Sequence, residues 1–312
     1  MNYRKVGIIG CGFVGSSIAF SLMQSKLYSE MVLIDVNNAK AEGEAMDISD
    51  GLPYAAPMNI YAGNYEDLAD ASLVVITAGV NQKPGETRLQ LIEKNKSILA
   101  SIITEIKKTT FDGILLIVSN PVDVLTYEAI KLSGYSENKV IGSGTVLDTA
   151  RLKDEISRHL QVDPQNVHTM IIGEHGDSEV PAWSITNISG VPINDFCELR
   201  GFYNHEEGMK KLYENVRDSA YKIIERKGAT YYGIAMAVTR IAKCIVRDEH
   251  SVLPVSTALH GQYGIDDVSL SIPSILGKDG VEKVLEIKLN EVELNSLRNS
   301  ANELKKVREG IS

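Results

Sequence analysis

The stretch VGIIGCGFVG (residues 6–15) decides the fold of this chain. The apolar run VGII leads directly into the motif GCGFVG, and residues 14–25 then carry helical spacing. Asp35 closes the next apolar run, MVLID (31–35), 20 residues after Gly15. A buried strand, a glycine loop that opens a helix, and an acid at the end of the second strand together predict a dinucleotide-binding βαβ unit.

The residues of this fingerprint have separate physical roles. Gly10 permits the tight turn, Gly12 lets a pyrophosphate approach the backbone, and Gly15 lets helix and strand pack closely. The helix N-terminus offers unpaired N–H groups to the anion. Asp35 can accept hydrogen bonds from ribose hydroxyls and would repel a 2′-phosphate, which favours NAD over NADP. The alternative is a glycine turn followed by a capping Asp, and a methyltransferase can share both the loop and the acid.

Apolar runs without polar alternation recur through the first half of the chain, at 6–9, 31–35, 58–63, 73–79, 114–120 and 139–144. Such runs are typical of strands buried on both faces. Stretches with helical spacing separate them, at 14–25, 39–47, 87–107 and 123–132. The alternation predicts an α/β fold, with a Rossmann doubly wound parallel sheet forming an NAD-binding domain over residues 1–144.

The pattern changes near residue 145. Helical spacing at 145–160, 208–227 and 229–246 is followed by period-2 runs at 268–275 and 282–289. We expect the period-2 runs to be antiparallel strands with one wet face, followed by a C-terminal helix. Residues 145–312 are therefore predicted to form a second, α+β domain that binds substrate and carries the catalytic residues.

Composition narrows the classes of function. Of 312 residues, 44% are hydrophobic and 23% are charged, as in ordinary globular proteins. A net charge of −9 without a basic block argues against nucleic-acid binding. The cysteines (Cys11, Cys197, Cys244) and the histidines lack metal-ligand spacing, so a metal site has no support. We expect no membrane span and a cytoplasmic location, because the N-terminal residues leave no room for a signal peptide and the apolar stretch 229–246 contains Arg240 and Lys243.

Candidate reacting residues lie in the second half. His175 stands between glycines in GEHGDS (173–178), and an imidazole can donate or accept a proton near neutral pH. Asp148 and Arg151 are three residues apart and so share one helical face. Arg151 could clamp a carboxylate, while Asp148 could fix the tautomer of His175 and raise its pKa. The alternatives are a structural histidine and a surface ion pair.

A polar loop in the first half, AGVNQKPGETR (78–88), carries Gly and Pro as a mobile lid would. Arg88 stands at the predicted start of a helix, where the helix dipole disfavours a cation, and this placement indicates a functional duty. The alternative is an ordinary solvated loop.

These motifs together resemble the lactate/malate dehydrogenase family, and within it the bacterial L-lactate dehydrogenases. The resemblance rests on GCGFVG, Asp35, TAGVNQKPGETR, SNPVD, LDTARLK and GEHGDS in this order, and it extends from residue 5 to the C-terminal helix. It implies reversible NADH-dependent reduction of pyruvate to L-lactate, with His175 as proton donor and acceptor, paired with Asp148. Arg151 would bind the substrate carboxylate, and Arg88, delivered by lid closure, would polarise the carbonyl.

The resemblance implies further contacts. The substrate would also touch Gln82, Asn120, Asp123 and Thr230, and the bond from Asn120 to Pro121 would be cis. The residues implied for the cofactor NAD are Gly10, Gly12, Phe13, Val14, Gly15, Asp35, Lys40, Tyr65, Thr77, Ala78, Gly79, Val80, Ser101, Val118, Ser119 and Asn120.

Gln82 bears on which hydroxy acid is the substrate. In the family, Arg at this position accepts the second carboxylate of oxaloacetate, whereas neutral Gln tolerates a methyl group and penalises a buried carboxylate, so pyruvate is favoured. A malate or broader L-2-hydroxyacid dehydrogenase is the alternative, since the small Ala229 beside Thr230 would suit a wider pocket. A non-catalytic NAD-binding protein is an alternative of another class, although it would have no reason to keep the reacting residues.

Assembly and regulation are also matters of resemblance. A homotetramer is the family expectation, with a dimer as the alternative. Many bacterial relatives are activated by fructose 1,6-bisphosphate, which an Arg and a His hold at a subunit two-fold axis. Lys153 and His168 occupy the matching positions here. Lys153 keeps the charge but loses the bidentate geometry of Arg, so activation is an open hypothesis.

Overall fold

The computed structural model describes residues 1–80 and 87–310, with the backbone but not the side chain of Arg88. The strands of the described residues are β1 (Asn2–Ile9), β2 (Glu30–Ile34), β3 (Asn59–Ala62), β4 (Ala71–Ile76), β5 (Ile114–Ile117), β6 (Val140–Gly142), β7 (Val167–His168), β8 (Ile171–Ile172), β9 (Val180–Pro181), β10 (Asn187–Ile188), β11 (Val191–Pro192), β12 (Ser251–Leu253), β13 (Ser256–His260), β14 (Asp266–Ser271), β15 (Ser274–Gly277) and β16 (Gly280–Val284). The α-helices are α1 (Phe13–Ser25), α2 (Asn38–Asp50), α3 (Arg88–Ile106), α4 (Val122–Ser133), α5 (Val146–Leu160), α6 (Ile193–Leu199), α7 (His205–Lys227), α8 (Tyr232–Arg247) and α9 (Glu291–Glu309).

The central sheet has eight strands in the order β14-β13-β6-β5-β4-β1-β2-β3. The six strands β6, β5, β4, β1, β2 and β3 are parallel. From β1, the chain adds β2 and β3 on one side of the sheet and β4, β5 and β6 on the other, so the strand order changes direction between β1 and β4. This is the doubly wound Rossmann arrangement, in which a ligand binds beyond the carboxyl ends of the strands at the reversal point. The predicted α/β fold class is confirmed.

Alternate residues of the central strands supply two hydrophobic cores, one on each face of the sheet. Ile8 of β1 packs in the core that α1, α2 and α8 cover, while its neighbour Ile9 packs in the core that α3 and α4 cover. Both side chains are almost completely buried. Because both faces are covered, these strands read as continuous apolar runs without polar alternation.

The second half extends the central sheet and adds small antiparallel sheets. β13 pairs antiparallel with β6 and β14, while β10 pairs with β7 and β11, β15 with β12 and β16, and β8 with β9. The predicted antiparallel strands are therefore confirmed.

The predicted wet face of residues 268–275 is wrong. Ser269 and Ser271 of β14 are completely buried, as are the apolar residues that alternate with them. Ser271 packs so closely against the backbone of Gly144 that a Cβ built on Gly144 would lie 2.6 Å from its Oγ. Small side chains, and not solvent, are the reason for serine on this face.

The strand predicted at 282–289 is too long. β16 ends at Val284, which pairs with Ser274, the first residue of β15. Pro273 precedes Ser274 and has no N–H to extend the ladder. The carbonyl of Pro273 accepts the N–H of Leu285 over 2.8 Å, but Pro273 cannot return a hydrogen bond, and the regular ladder ends there. Ile287 and Leu289 still pack on a core.

Helix ends follow the expected chemistry where they matter for the site. Thr87 and Gln90 form a capping box at the start of α3, so the helix begins at Arg88 as predicted. Asn290 and Glu293 form another capping box at the start of α9.

No helix among the described residues combines the length and apolarity that crossing a membrane requires. The three cysteines are free and buried.

Candidate active site

The glycine loop joins β1 to α1, and the side that packs against the rest of the fold leaves no room for side chains. Gly10 has φ +100°, and a Cβ on Gly15 would lie 1.8 Å from the carbonyl oxygen of Gly10. A Cβ on Gly12, in contrast, would meet no atom within 4 Å. Gly12 is also the N-cap of α1, and no side chain caps that helix end. The open side of the loop and its free N–H groups therefore fit an approaching pyrophosphate.

Asp35 follows β2 and faces the glycine loop. Its Oδ2 accepts a hydrogen bond from the N–H of Cys11 over 2.7 Å, and its Oδ1 accepts one from the N–H of Asn37 over 2.9 Å. Asp35 therefore fixes the conformation of this turn, and it can also accept hydrogen bonds from a ribose. A carboxylate oxygen has more than one acceptor site, so these bonds leave capacity for ribose hydroxyls.

A cleft of about 610 Å³ runs along the carboxyl ends of β1, β2 and β4. Ten of the residues predicted to contact the cofactor line it: Gly10, Gly12, Asp35, Lys40, Tyr65, Thr77, Ala78, Gly79, Val80 and Ser101. The glycine cradle, the acid and the size of the cleft fit a dinucleotide.

The other predicted cofactor residues lie around this cleft. Val14, Val118 and Asn120 line a second, smaller cavity. Phe13 is exposed and stacks on Tyr231, with ring centroids 5.4 Å apart. The last two predicted cofactor residues, Gly15 and Ser119, contact the protein itself. Gly15 packs against the carbonyl of Gly10, and the hydroxyl of Ser119 donates to backbone carbonyls of β4 and Ala78.

The smaller cavity, of about 180 Å³, brings together residues from both halves of the chain. Its lining comprises Val14, Val118, Asn120, Ser143, Leu147, Arg151, His175, Ala220, Ile224, Thr230 and Ile234. Four predicted substrate or catalytic residues therefore converge here: Asn120, Arg151, His175 and Thr230. Ala229 is not part of the lining, and the wall beside Thr230 comes from α7 and α8 instead. The bond from Asn120 to Pro121 is cis, as expected.

Asp148 joins the two charged groups of the cavity. Its Oδ2 lies 2.5 Å from Nδ1 of His175, and its Oδ1 accepts a hydrogen bond from Nη1 of Arg151 over 2.9 Å. Asp148 is 3% exposed at its side chain, so the pairing takes place out of water. With Nδ1 committed to Asp148, Nε2 is the nitrogen of His175 left to face a ligand.

The network shifts the pKa values of its members. Burial lowers the pKa of His175, but Asp148, followed by Asp123 and Glu179, more than offsets this and the pKa rises to about 9. Burial also opposes ionisation of Asp148, yet His175 and Arg151 hold its pKa below the usual range. At neutral pH the site therefore presents an imidazolium and a guanidinium held by one carboxylate, an arrangement suited to a carboxylated substrate that takes up a proton.

Asp123 is buried at the start of α4 and does not line the cavity. Its Oδ2 accepts the backbone N–H of His175 over 2.8 Å, and its Oδ1 accepts the hydroxyl of Ser256 over 2.6 Å. Burial raises the pKa of Asp123 to about 6. The carboxylate therefore holds the backbone of His175, which differs from the substrate contact expected from the sequence.

Some residues that hold the site escaped the sequence analysis. Asn95, buried on α3, accepts the N–H of Val80 over 2.9 Å and donates to the carbonyl of Asn120 over 2.9 Å, so it ties the cleft to the cavity. Glu179 is buried near Asp148, and burial followed by that neighbour raises its pKa to about 8. A polar residue within an apolar helical face was the one available signal for Asn95.

Four predicted residues stand apart from this geometry. Gln82 lies outside the described residues. Arg88 begins α3, and its side chain is not described. Lys153 is half-buried on α5, and His168 is exposed on β7, a strand that contacts α5.

Comparison with known proteins agrees with this geometry. The family model for the lactate/malate dehydrogenase NAD binding domain matches residues 4–142, and that for the lactate/malate dehydrogenase alpha/beta C-terminal domain matches residues 145–311. An L-lactate dehydrogenase of Acetivibrio thermocellus is 52% identical over 304 residues, 97% of this chain and 96% of its own. L-lactate dehydrogenase 1 of Clostridium acetobutylicum is 51% identical over 307 residues, 98% of each chain.

Solved structures give the same result. MGS-M5, a lactate dehydrogenase enzyme from a Medee basin deep-sea metagenome library, superposes with a TM-score of 0.96 at 47% identity, over 100% of this chain and 99% of its own. The minor L-lactate dehydrogenase of Enterococcus mundtii in its ligands-bound form gives 0.96 at 46% identity, over 99% and 98%. In sequence and in fold, over both halves, this chain belongs to the lactate/malate dehydrogenase family.

Proposed function

We propose that this chain is an NAD-dependent L-lactate dehydrogenase in which His175 is the proton donor for pyruvate reduction and the acceptor for L-lactate oxidation. One observation carries this proposal: Asp148 holds both His175 and Arg151 at a cavity that adjoins the dinucleotide cleft. A small 2-oxo acid needs a cation for its carboxylate and a proton for its carbonyl oxygen, and this cavity offers both.

The residues divide the work. Arg151 binds the carboxylate, with one nitrogen already fixed by Asp148, so the guanidinium is oriented before the substrate arrives. His175 donates its Nε2 proton to the carbonyl oxygen as that oxygen becomes a hydroxyl, and the resulting neutral imidazole stays in place through Asp148. NADH, when bound, supplies the hydride to the carbonyl carbon. Asn120 and Thr230, which also line the cavity, complete the substrate contacts.

Arg88 and Gln82 complete the proposal from the lid. Arg88 stabilises the negative charge that develops on the carbonyl oxygen, an effect that grows once water is excluded. A neutral Gln82 would tolerate the methyl group of pyruvate and penalise a second carboxylate. Replacing Gln82 by Arg should raise kcat/KM for oxaloacetate and lower it for pyruvate. Unchanged values for both substrates would remove Gln82 from the specificity argument.

The direct test is NADH oxidation, followed by absorbance, with pyruvate, oxaloacetate and longer 2-oxo acids. Pyruvate should give the highest kcat/KM, and His175→Asn should lose most of this activity while still binding NADH. A preference for oxaloacetate would support malate dehydrogenase, the alternative within the family. NADH binding without turnover of any 2-oxo acid would support a non-catalytic role.

We infer self-association as a homotetramer, with the dimer as alternative. An apolar surface on α1 and α8 supports self-association: Phe20 is 49% exposed, Tyr232 68% and Met236 64%. These residues line a shared groove, and large exposed apolar groups in one groove are typical of a protein interface. Light scattering after size exclusion should give four subunits. The variant Met236→Glu should shift the mass downward if this groove is an interface.

Fructose 1,6-bisphosphate remains a proposed activator. Lys153 forms no hydrogen bond or ion pair in the described part of the chain, and burial, followed by Arg240, lowers its pKa. A half-buried cation beside another cation favours binding of an anion, and His168 lies on the strand next to α5. The bisphosphate should lower the KM for pyruvate, and Lys153→Gln should remove that effect. An unchanged KM in the wild type would end this proposal.

A cytoplasmic location also belongs to the proposal. Cys11, Cys197 and Cys244 are thiols within the core, which suits a reducing compartment. Fractionation of cells followed by immunoblotting tests this location, and recovery from the medium would contradict it.

A further inference from the structure

The loop that carries His175 is held mainly by elements outside its own small sheet. β8 and β9, on either side of the loop, contribute only two residues each. Gly173 exchanges two backbone hydrogen bonds with Ser271 of β14, and the N–H of His175 donates to Asp123. The position of the imidazole therefore depends on contacts from distant parts of the chain.

Ser300 of α9 supplies another such contact. It is completely buried and lies 127 residues beyond the start of the loop at Gly173. The N–H of Glu174, the residue before His175, donates to Oγ of Ser300 over 2.8 Å. The same Oγ lies 2.9 Å from Oγ of Ser178, at the other end of the loop. One side chain of the C-terminal helix thus bridges the two ends of the His175 loop.

The directions of these hydrogen bonds form a closed ring. Ser178 donates its hydroxyl hydrogen to Oε2 of Glu174 over 2.5 Å, because a carboxylate oxygen accepts. A hydroxyl has one hydrogen, so the hydrogen shared by Ser178 and Ser300 must come from Ser300. The ring therefore runs from the N–H of Glu174 to Ser300, from Ser300 to Ser178, and from Ser178 back to the carboxylate of Glu174.

We propose that Ser300 is a positioning residue for His175, acting through this ring and not by contact with the substrate. The proposal rests on the assignment of His175 as the proton donor. Alanine at position 300 would have no hydroxyl for the ring, and the loop packs closely on Ser300, since a Cβ on Gly173 would lie 3.0 Å from its Oγ. The C-terminal helix is thereby part of the machinery that orients the proton donor.

The test compares Ser300→Ala with Ser178→Ala and with Ser296→Ala, a half-buried serine one turn earlier on the same helix. Ser300→Ala leaves the N–H of Glu174 without its acceptor, and small displacements of a reacting group cost about ten- to a hundredfold in rate. We expect kcat for pyruvate reduction to fall by about this factor, with the Kd for NADH unchanged. The deuterium isotope effect on kcat, measured with NADH deuterated at the transferred position, should rise.

The variants should also rank in a set order. Ser178→Ala keeps the bond from Glu174 to Ser300 and should lose less activity, Ser296→Ala should match the wild type, and the double variant Ser178→Ala/Ser300→Ala should be no slower than Ser300→Ala. A kcat within twofold of the wild type for folded Ser300→Ala overturns the proposal, as does a loss of NADH binding equal to the loss of kcat.

Failure of the proposed function gives a different result from failure of this inference. Wild-type activity with pyruvate decides the former, and the ratio of variant to wild type decides the latter. If the wild type does not reduce pyruvate, the NMR signals of the His175 ring still test the ring of hydrogen bonds. They should shift in Ser300→Ala and stay in place in Ser296→Ala, and unchanged signals in both variants would overturn it.

Discussion

Asp148→Asn should move the protonation of His175 across the working pH range. In the wild type the pKa of His175 is about 9 against an ordinary 6.5. This difference corresponds to about 3 kcal/mol in favour of the imidazolium. Asp148 is the largest of the groups that raise this pKa, ahead of Asp123 and Glu179, and together they also offset the lowering by burial. In Asp148→Asn the largest raising contribution is lost and only Asp123 and Glu179 oppose burial, so the pKa should fall toward 6.5.

The change in protonation sets the expected loss of activity. At pH 8, about nine-tenths of His175 is protonated when its pKa is 9, and about 3% when its pKa is 6.5. Protonation alone should therefore lower kcat/KM for pyruvate about 30-fold at this pH. The loss should shrink as the pH falls toward 5.5, because both enzymes are then mostly protonated.

The assay is the pH profile of kcat/KM for pyruvate at saturating NADH, supported by NMR titration of the imidazole. The alkaline limb should lie near pH 9 in the wild type and below pH 7 in Asp148→Asn. Equal limbs in the two enzymes would refute the electrostatic reasoning. Asp154→Asn, a change at an exposed ion pair on the same helix, is the matched control and should leave the limb unmoved.

Three further predictions follow from particular contacts. Gly12→Ala should fold normally yet weaken NADH binding, because its Cβ points into open space at the glycine loop, whereas Gly15→Ala should fold poorly, because its Cβ meets the carbonyl of Gly10 at 1.8 Å. The Kd for NADH and the melting temperature of each variant separate the two effects, and equal changes in both variants would contradict this prediction. The raised pKa of His175 contributes stability that is complete below pH 6.5 and lost as the pH rises through 9. The melting temperature should therefore fall more over this range in the wild type than in His175→Gln, and parallel curves of melting temperature against pH would contradict this contribution. Tyr231→Leu should raise the Kd for NADH about two- to tenfold by removing the ring that stacks on Phe13, a predicted cofactor residue. Tyr231→Phe should restore the Kd, and an unchanged Kd in Tyr231→Leu would show that the stack does not support the cofactor site.

The sequence predicts the first half of the fold well because its strands are buried on both faces. Burial on both faces leaves a local mark, the continuous apolar run, and the glycine loop and Asp35 are adjacent to those runs. Ser269 and Ser271 mislead the same reasoning, since a serine reads as solvated whether it faces water or a tightly packed backbone such as that of Gly144. The period-2 pattern shows which residues are polar, and these polar serines are buried instead of exposed.

The site is predictable only where its residues occur in short motifs. His175, Asp148 and Arg151 lie in such motifs, and the structure brings them together. Ser256 and Ser300 do not, because each supports the site from more than 80 residues away and nothing beside it in sequence marks its partner. Three-dimensional packing alone places their hydroxyls next to Asp123 and Glu174.

The most direct test of the central claim is a crystal structure of the complex with NADH and oxamate, whose carboxylate and amide carbonyl mimic pyruvate. The proposal predicts that Arg151 binds the carboxylate and that Nε2 of His175 lies within hydrogen-bond distance of the carbonyl oxygen, beside the nicotinamide. A carboxylate bound away from Arg151, or a carbonyl that His175 does not reach, would contradict it.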